Sequence, residues 1–129
     1  MAHYNSFEGL EVYKQSTIFC DDVWNIIINT SLSNDYKLRE QLNGSSGSIM
    51  DNIAEGFGRG GNKEFIMFLG FSRGSCSESK SQLLRCYRRK HIDKGTYQKL
   101  NTQAEELINQ LSKFINYLKS SNRKGSKFD

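Results

Sequence analysis

A chain of 129 residues has room for one domain of ordinary size and no second core. Hydrophobic residues at 36% and aromatics at 12% exclude a disordered chain, and no run of about 18 apolar residues exists to cross a membrane. The formal charge is +4 and proline is absent, so the usual helix breaker is missing and long helices are expected.

The first predicted helix covers residues 7–28. Leu10, Tyr13, Cys20, Trp24 and Ile27 recur at a 3–4 spacing, with Thr17 the one polar member, and mark its expected buried face. Ile26, Ile27 and Ile28 are consecutive, so one face cannot hold all three. The surplus, with Trp24, points either to a broad core at that end or to a subunit interface. A turn is predicted over Asn29-Thr-Ser-Leu-Ser-Asn-Asp35, because Asn, Ser and Asp side chains compete for backbone hydrogen bonds.

The second helix is predicted over residues 35–56. Leu38, Leu42, Ile49, Ile53 and Phe57 form its apolar side, and Gly56 stands where a left-handed cap is expected. Beside that stripe runs a polar row of Gln41, Ser45, Ser48, Asn52, Glu55 and Arg59. Such a row is either a solvated face or a satisfied seam that fixes helix register. The glycine-rich Gly56-Phe-Gly-Arg-Gly-Gly-Asn62 is the next loop.

The third helix, residues 62–89, is expected to take Asn62 as its N-cap and Glu64 in its first turn. Phe65, Phe68, Leu69, Leu83 and Cys86 supply its core. Its small middle, Gly70 through Ser81, permits a neighbour to come close, with Ser72, Ser75, Glu78, Ser79 and Gln82 as partners for the polar row. The fourth helix, residues 94–119, repeats Tyr97, Leu100, Ala104, Leu107, Leu111, Phe114 and Leu118, widened by Ile108 and Ile115. The pattern predicts an all-α fold, an antiparallel up-down-up-down four-helix bundle. It occupies one domain over residues 1–119, with a basic tail at 120–129.

Charge divides along the chain. Residues 1–80 carry seven basic and ten acidic side chains, and residues 81–129 carry eleven and four. Arg85, Arg88, Arg89, Lys90 and Lys94 cluster around the third turn, Arg59 and Lys63 flank the second, and Arg123 and Lys124 lie on the tail. These nine cations are the candidate nucleic-acid-binding residues, suited to phosphate contacts with little sequence preference. The bland alternative is dipole complementation at a helix C-terminus. Among aromatics only Tyr87 interleaves with them, so no base-stacking platform is read here.

No catalytic constellation is found, and an enzyme is not expected. The histidines are His3 and His91, no Glu-x-x-His pair exists for a di-iron site, and no metal or cofactor is predicted. Gly56-Phe-Gly-Arg-Gly-Gly61 lacks the strand before it and the Gly-Lys-Ser/Thr ending of a phosphate loop. Three scattered cysteines, Cys20, Cys76 and Cys86, read as reduced thiols in a cytoplasm. The start of the chain lacks a basic region followed by an apolar stretch, so no secretory leader is expected. Glu55 is expected to hold a loop by pairing with Arg59 or Arg73.

The segment Gln41…Ser48-Ile-Met-Asp-Asn52-Ile-Ala-Glu-Gly56-Phe-Gly-Arg59, continued by Glu64-Phe65…Arg73-Gly-Ser75…Glu78, resembles a known family. It is similar to the four-helix-bundle proteins encoded within 23S ribosomal RNA intervening sequences. The opening Phe7-Glu-Gly-Leu-Glu-Val-Tyr-Lys14 and the Tyr36-Lys-Leu38 entry are similar too, so the resemblance runs from Phe7 to about Leu118. Asn52-Ile-Ala-Glu-Gly56 is its most specific block. Gln41, Ser48, Asn52, Glu55, Gly56, Arg73, Ser75 and Glu78 are its motif positions. The resemblance implies a bundle that assembles with itself as a ring, commonly a pentamer. It also implies kinship with basic accessory bundles of diversity-generating retroelements, which contact nucleic acid and a reverse transcriptase. Asn43-Gly-Ser-Ser-Gly47 departs from a stretch that usually carries Arg and Ala. The expected function is therefore a non-catalytic, RNA- or ribonucleoprotein-associated homo-oligomer, away from membranes. The alternative is a protein-interaction scaffold with no nucleic-acid role.

Overall fold

The computed structural model describes residues 6–121 and consists of four helices: α1 (Glu11–Asn29), α2 (Tyr36–Gly58), α3 (Asn62–Arg88) and α4 (Lys94–Ser120). Short 3-10 turns at Phe7–Gly9 and Ser31–Asn34 lead into α1 and α2, and no strand occurs among the described residues. Hydrogen bonds between helices give their directions. Gln41 meets Arg85, Ser45 meets Gln82, and Ile49 meets Ser72. Arg73 meets Ser112 and Lys80 meets Glu105. One number rises as the other falls in both series, so α2 and α4 run antiparallel to α3.

The core is where the spacing in α4 places it. Leu100, Ala104, Leu107, Leu111, Ile115 and Leu118 are buried, while Phe114 and Tyr97 pack at the edge. In α1 the buried face is rotated from the expected one. Val12, Ser16, Phe19, Val23, Ile26 and Ile27 point inward, whereas Trp24 is 51% exposed and Tyr13 and Cys20 are half-buried. A 3–4 pattern can be drawn in two registers through this segment, and burial of Phe19 and Val23 decides between them. The helix also begins later, because Leu10 is extended (φ −72°, ψ 134°) after the Phe7–Gly9 turn. Of the three consecutive isoleucines, Ile28 is the one left outside.

The α2–α3 seam is built from small polar residues. Ser45, Ser72, Ser75, Ser79 and Gln82 are all buried, and Ser46 is buried on the side of α2 that meets Cys20 of α1. Ser45 Oγ donates to Gln82 Oε1 and lies 2.8 Å from Ser79 Oγ, and Ser72 Oγ donates to the Ile49 carbonyl at 2.8 Å. Ser45, Ser72, Ser79 and Gln82 therefore have partners, as burial demands. Of the predicted polar row, Ser45 is buried in the seam and Gln41 meets Arg85 at its exposed edge. Ser48 and Asn52 are half-buried, and Gln41, Glu55 and Arg59 lie on the exposed side.

Gly56 does not cap α2. The helix continues to Gly58, and the positive φ falls at Gly60 (89°). A Cβ on Gly56 would meet Phe68 Cβ at 2.6 Å and Phe65 Cδ1 at 2.9 Å, so this glycine is where α2 and α3 touch backbone to side chain. Gly44 and Gly47 need no such explanation, because a Cβ at either position would enter open space. Asn62 is likewise the first residue of α3, not its cap: Gly61 holds the N-cap position, and Asn62 Nδ2 donates to Ser121 Oγ at 3.1 Å.

Candidate nucleic-acid interface

The third turn, where α3 hands over to α4, concentrates the basic residues. The end of α3 is closed by two backbone bonds, from the Lys90 N–H to the Tyr87 carbonyl and from the His91 N–H to the Cys86 carbonyl, each 2.9 Å. This is the Schellman arrangement, which places the residue after the cap in the left-handed region and favours glycine there. The chain has Lys90 instead, at φ 64°. A left-handed residue with a Cβ costs about 1–2 kcal/mol, so this fold carries strain to keep an ammonium at the turn.

Neighbouring cations are already engaged. Arg89 Nη1 lies 2.8 Å from Asp35 Oδ2, and His91 Nε2 lies 2.9 Å from the same oxygen. His91 Nδ1 shares a 2.7 Å hydrogen bond with Ser31 Oγ. Asp35 stands at the N-cap position of α2, but its side chain makes no cap bond and turns to the α3–α4 turn. The carboxyl is consequently held below its ordinary 3.8, first by the His91 hydrogen bond and then by Arg89. Ser31, His91 and Asp35 follow the order of a hydrolase relay. With Arg89 on the same carboxylate, the cluster ties the turn before α2 to the α3–α4 turn. Arg85 Nη2 donates to Gln41 Oε1 at 2.7 Å.

Arg88, Lys90 and Lys94 remain, exposed and without an ion pair among the described residues. Arg88 and Lys90 line an open cleft of about 640 Å³ with Tyr87, His91, Ile92 and Asp93. Tyr87 stacks on Tyr97, with ring centroids 5.2 Å apart and planes 15° from parallel. Both rings are half-buried and pack against the core, Tyr97 from one turn into α4, outside the basic run. A phosphate placed in this cleft would meet Arg88 and Lys90, with the Asp93 carboxylate, itself engaged by the Thr96 N–H, on the same lining.

At the opposite end the second turn offers less. Arg59 Nε donates to Glu55 Oε2 at 2.8 Å, and its guanidinium lies 5.0 Å from the centre of the Phe68 ring. Lys63 is exposed beside it. Arg123 and Lys124 lie outside the described residues. Of the other motif positions, Asn52 Nδ2 donates to the Ser48 carbonyl at 2.8 Å, Arg73 Nη1 to Ser112 Oγ at 3.1 Å, Ser75 is buried and Glu78 is exposed. Arg73 thus joins α3 to α4, Asn52 bonds within α2, and these positions do not converge on a cavity among the described residues. Among the described residues no group of three His, Cys, Asp or Glu could hold a metal ion, and no helix is long and apolar enough to cross a membrane.

Comparison with known proteins places this architecture. Residues 8–113 match the model of the 23S rRNA-intervening sequence protein family. A crystal structure of a protein of unknown function from the S23 ribosomal protein family of Bacteroides thetaiotaomicron superposes with a TM-score of 0.73. It is 24% identical over 81% of this chain and 97% of that one, which shows the shared fold. No curated protein matches the sequence.

Proposed function

The chain belongs to the 23S rRNA-intervening sequence protein family, and from that membership we propose that it is a non-catalytic, homo-oligomeric module that associates with RNA or a ribonucleoprotein. The observation that carries this reading is the division of labour at the α3–α4 turn. Arg85 and Arg89 are tied to α2 and its entry, while Arg88 and Lys90 are free beside the Tyr87–Tyr97 pair. Self-association is supported by exposed Trp24, Ile28, Met67 and Phe71, each about half accessible, since apolar surface on this scale suits an interface. Repetition in a ring, a pentamer by family resemblance, would turn a weak patch into an avid one. A cytoplasmic setting fits the three free thiols.

Fluorescence anisotropy with a labelled single-stranded RNA tests the reading. Affinity is expected to fall steeply as salt rises. Arg88→Ala is expected to weaken binding and lower the salt slope by about one. Lys90→Gly is expected to weaken binding while raising thermal stability, because it removes the charge and the strain together. RNA binding that is absent at low salt, or indifferent to both substitutions, overturns the proposal. The scaffold reading, favoured by the same exposed apolar residues, predicts protein partners whose capture survives nuclease treatment.

A further inference from the structure

His91 lines the same cleft as Arg88 and Lys90, and its side chain is 13% exposed. Both ring nitrogens are held, Nε2 at 2.9 Å from Asp35 Oδ2 and Nδ1 at 2.7 Å from Ser31 Oγ. An ionised carboxylate only accepts, so Nε2 carries a hydrogen in either charge state of the ring. Nδ1 is the nitrogen that changes. In the neutral ring it accepts from the Ser31 hydroxyl, and in the charged ring it donates to the same oxygen. The imidazole can therefore gain a proton without leaving its place.

The charged side chains at this turn are Asp35 at the entry of α2, Arg88, Arg89 and Lys90 at the end of α3, and Asp93 and Lys94 at the start of α4. Arg89 Nη1 reaches the same Asp35 oxygen as His91, at 2.8 Å. With a neutral ring the trio of Asp35, Arg89 and His91 has no net charge, and with a charged ring it adds a positive charge to the cleft wall. The other titratable groups hold their charge states. Asp35 is kept below the ordinary 3.8 by the His91 and Arg89 hydrogen bonds, and Asp93 by the Thr96 N–H. Burial pushes the Cys86 thiol, near the end of α3, up to about 11. Histidine is the side chain that changes charge between about pH 5 and 8. We propose that this tip binds RNA phosphate with uptake of a proton: a phosphate beside Arg88 and Lys90 favours the charged His91 ring, and the charged ring in turn holds the phosphate more tightly. This deepens the RNA reading and rests on it.

The test is fluorescence anisotropy of the full chain with labelled oligouridylate, at constant ionic strength, from about pH 8 to about pH 5.5, the range in which histidine titrates. Affinity is expected to rise about threefold on acidification, the effect of one added charge near a phosphate at a wet surface, and then to level off. Calorimetric titration of the wild type at about pH 6.5, in two buffers of different ionisation enthalpy, is expected to show net proton uptake on binding. His91→Gln keeps a donor for Asp35 and an acceptor for Ser31, and is expected to bind with an affinity that no longer varies over this range. Wild-type affinity that ignores pH, or binding that releases protons, overturns the proposal and leaves the RNA reading standing. A pH dependence that His91→Gln retains does the same. If His91→Gln does not fold, the proton count of the wild type decides alone. Oligouridylate binding that is absent at low salt across the whole range overturns both readings together.

Discussion

At Gly56 one methyl group decides whether two helices can meet. The nearest obstacle is Phe68 Cβ, which is tied to the α3 backbone and cannot swing aside. Gly56→Ala is expected to destabilise the fold by about 1–3 kcal/mol in urea unfolding, the range for overpacking. Asp35 is a second decisive position, through charge. A carboxyl whose folded pKa is depressed stabilises the protein above its ordinary value, and that contribution is lost as pH falls through the lower folded value. Asp35→Asn is therefore expected to melt below wild type at neutral pH. The difference should shrink as pH is lowered from about 5 to about 2, followed by circular dichroism. A difference that persists in acid would assign the effect to packing and not to the Arg89 and His91 contacts.

Among the helices, α4 was readable from spacing alone, because its leucines follow one unbroken stripe with polar residues elsewhere. The face of α1 was not. Its apolar residues surround Thr17 on more than one side, and the register with Phe19 and Val23 inward wins because it buries Phe19 completely against the other helices. Two substitutions distinguish the registers. Phe19→Ala is expected to cost about 3–5 kcal/mol, as for a buried aromatic. Trp24→Ala is expected to change the stability of the isolated chain by less than about 0.5 kcal/mol. If Trp24 lies in a subunit contact, light scattering of Trp24→Ala will show a smaller particle at unchanged subunit stability. The end of α2 was misplaced for a related reason. Four glycines in seven residues offer several stopping points, and the left-handed turn falls at Gly60 while Gly56 stays helical against Phe65 and Phe68.

On the scale of the molecule, the basic half of the sequence becomes one basic tip, but which cations are free was not legible. Asp35 is 54 residues from Arg89, and Gln41 is 44 from Arg85, so their pairing exists only once the helices pack. The Tyr87–Tyr97 stack is hidden in the same way by the turn between its members. The interior between α2 and α3 has a thermodynamic consequence of its own. Apolar exposure raises the heat capacity of unfolding and polar exposure lowers it, giving about 12–15 cal/mol/K per residue in ordinary domains. Five buried serine and glutamine side chains line a seam where leucines would be usual. Scanning calorimetry should accordingly return a heat capacity increment below that range, and a stability curve that stays flat on cooling instead of bending toward cold denaturation.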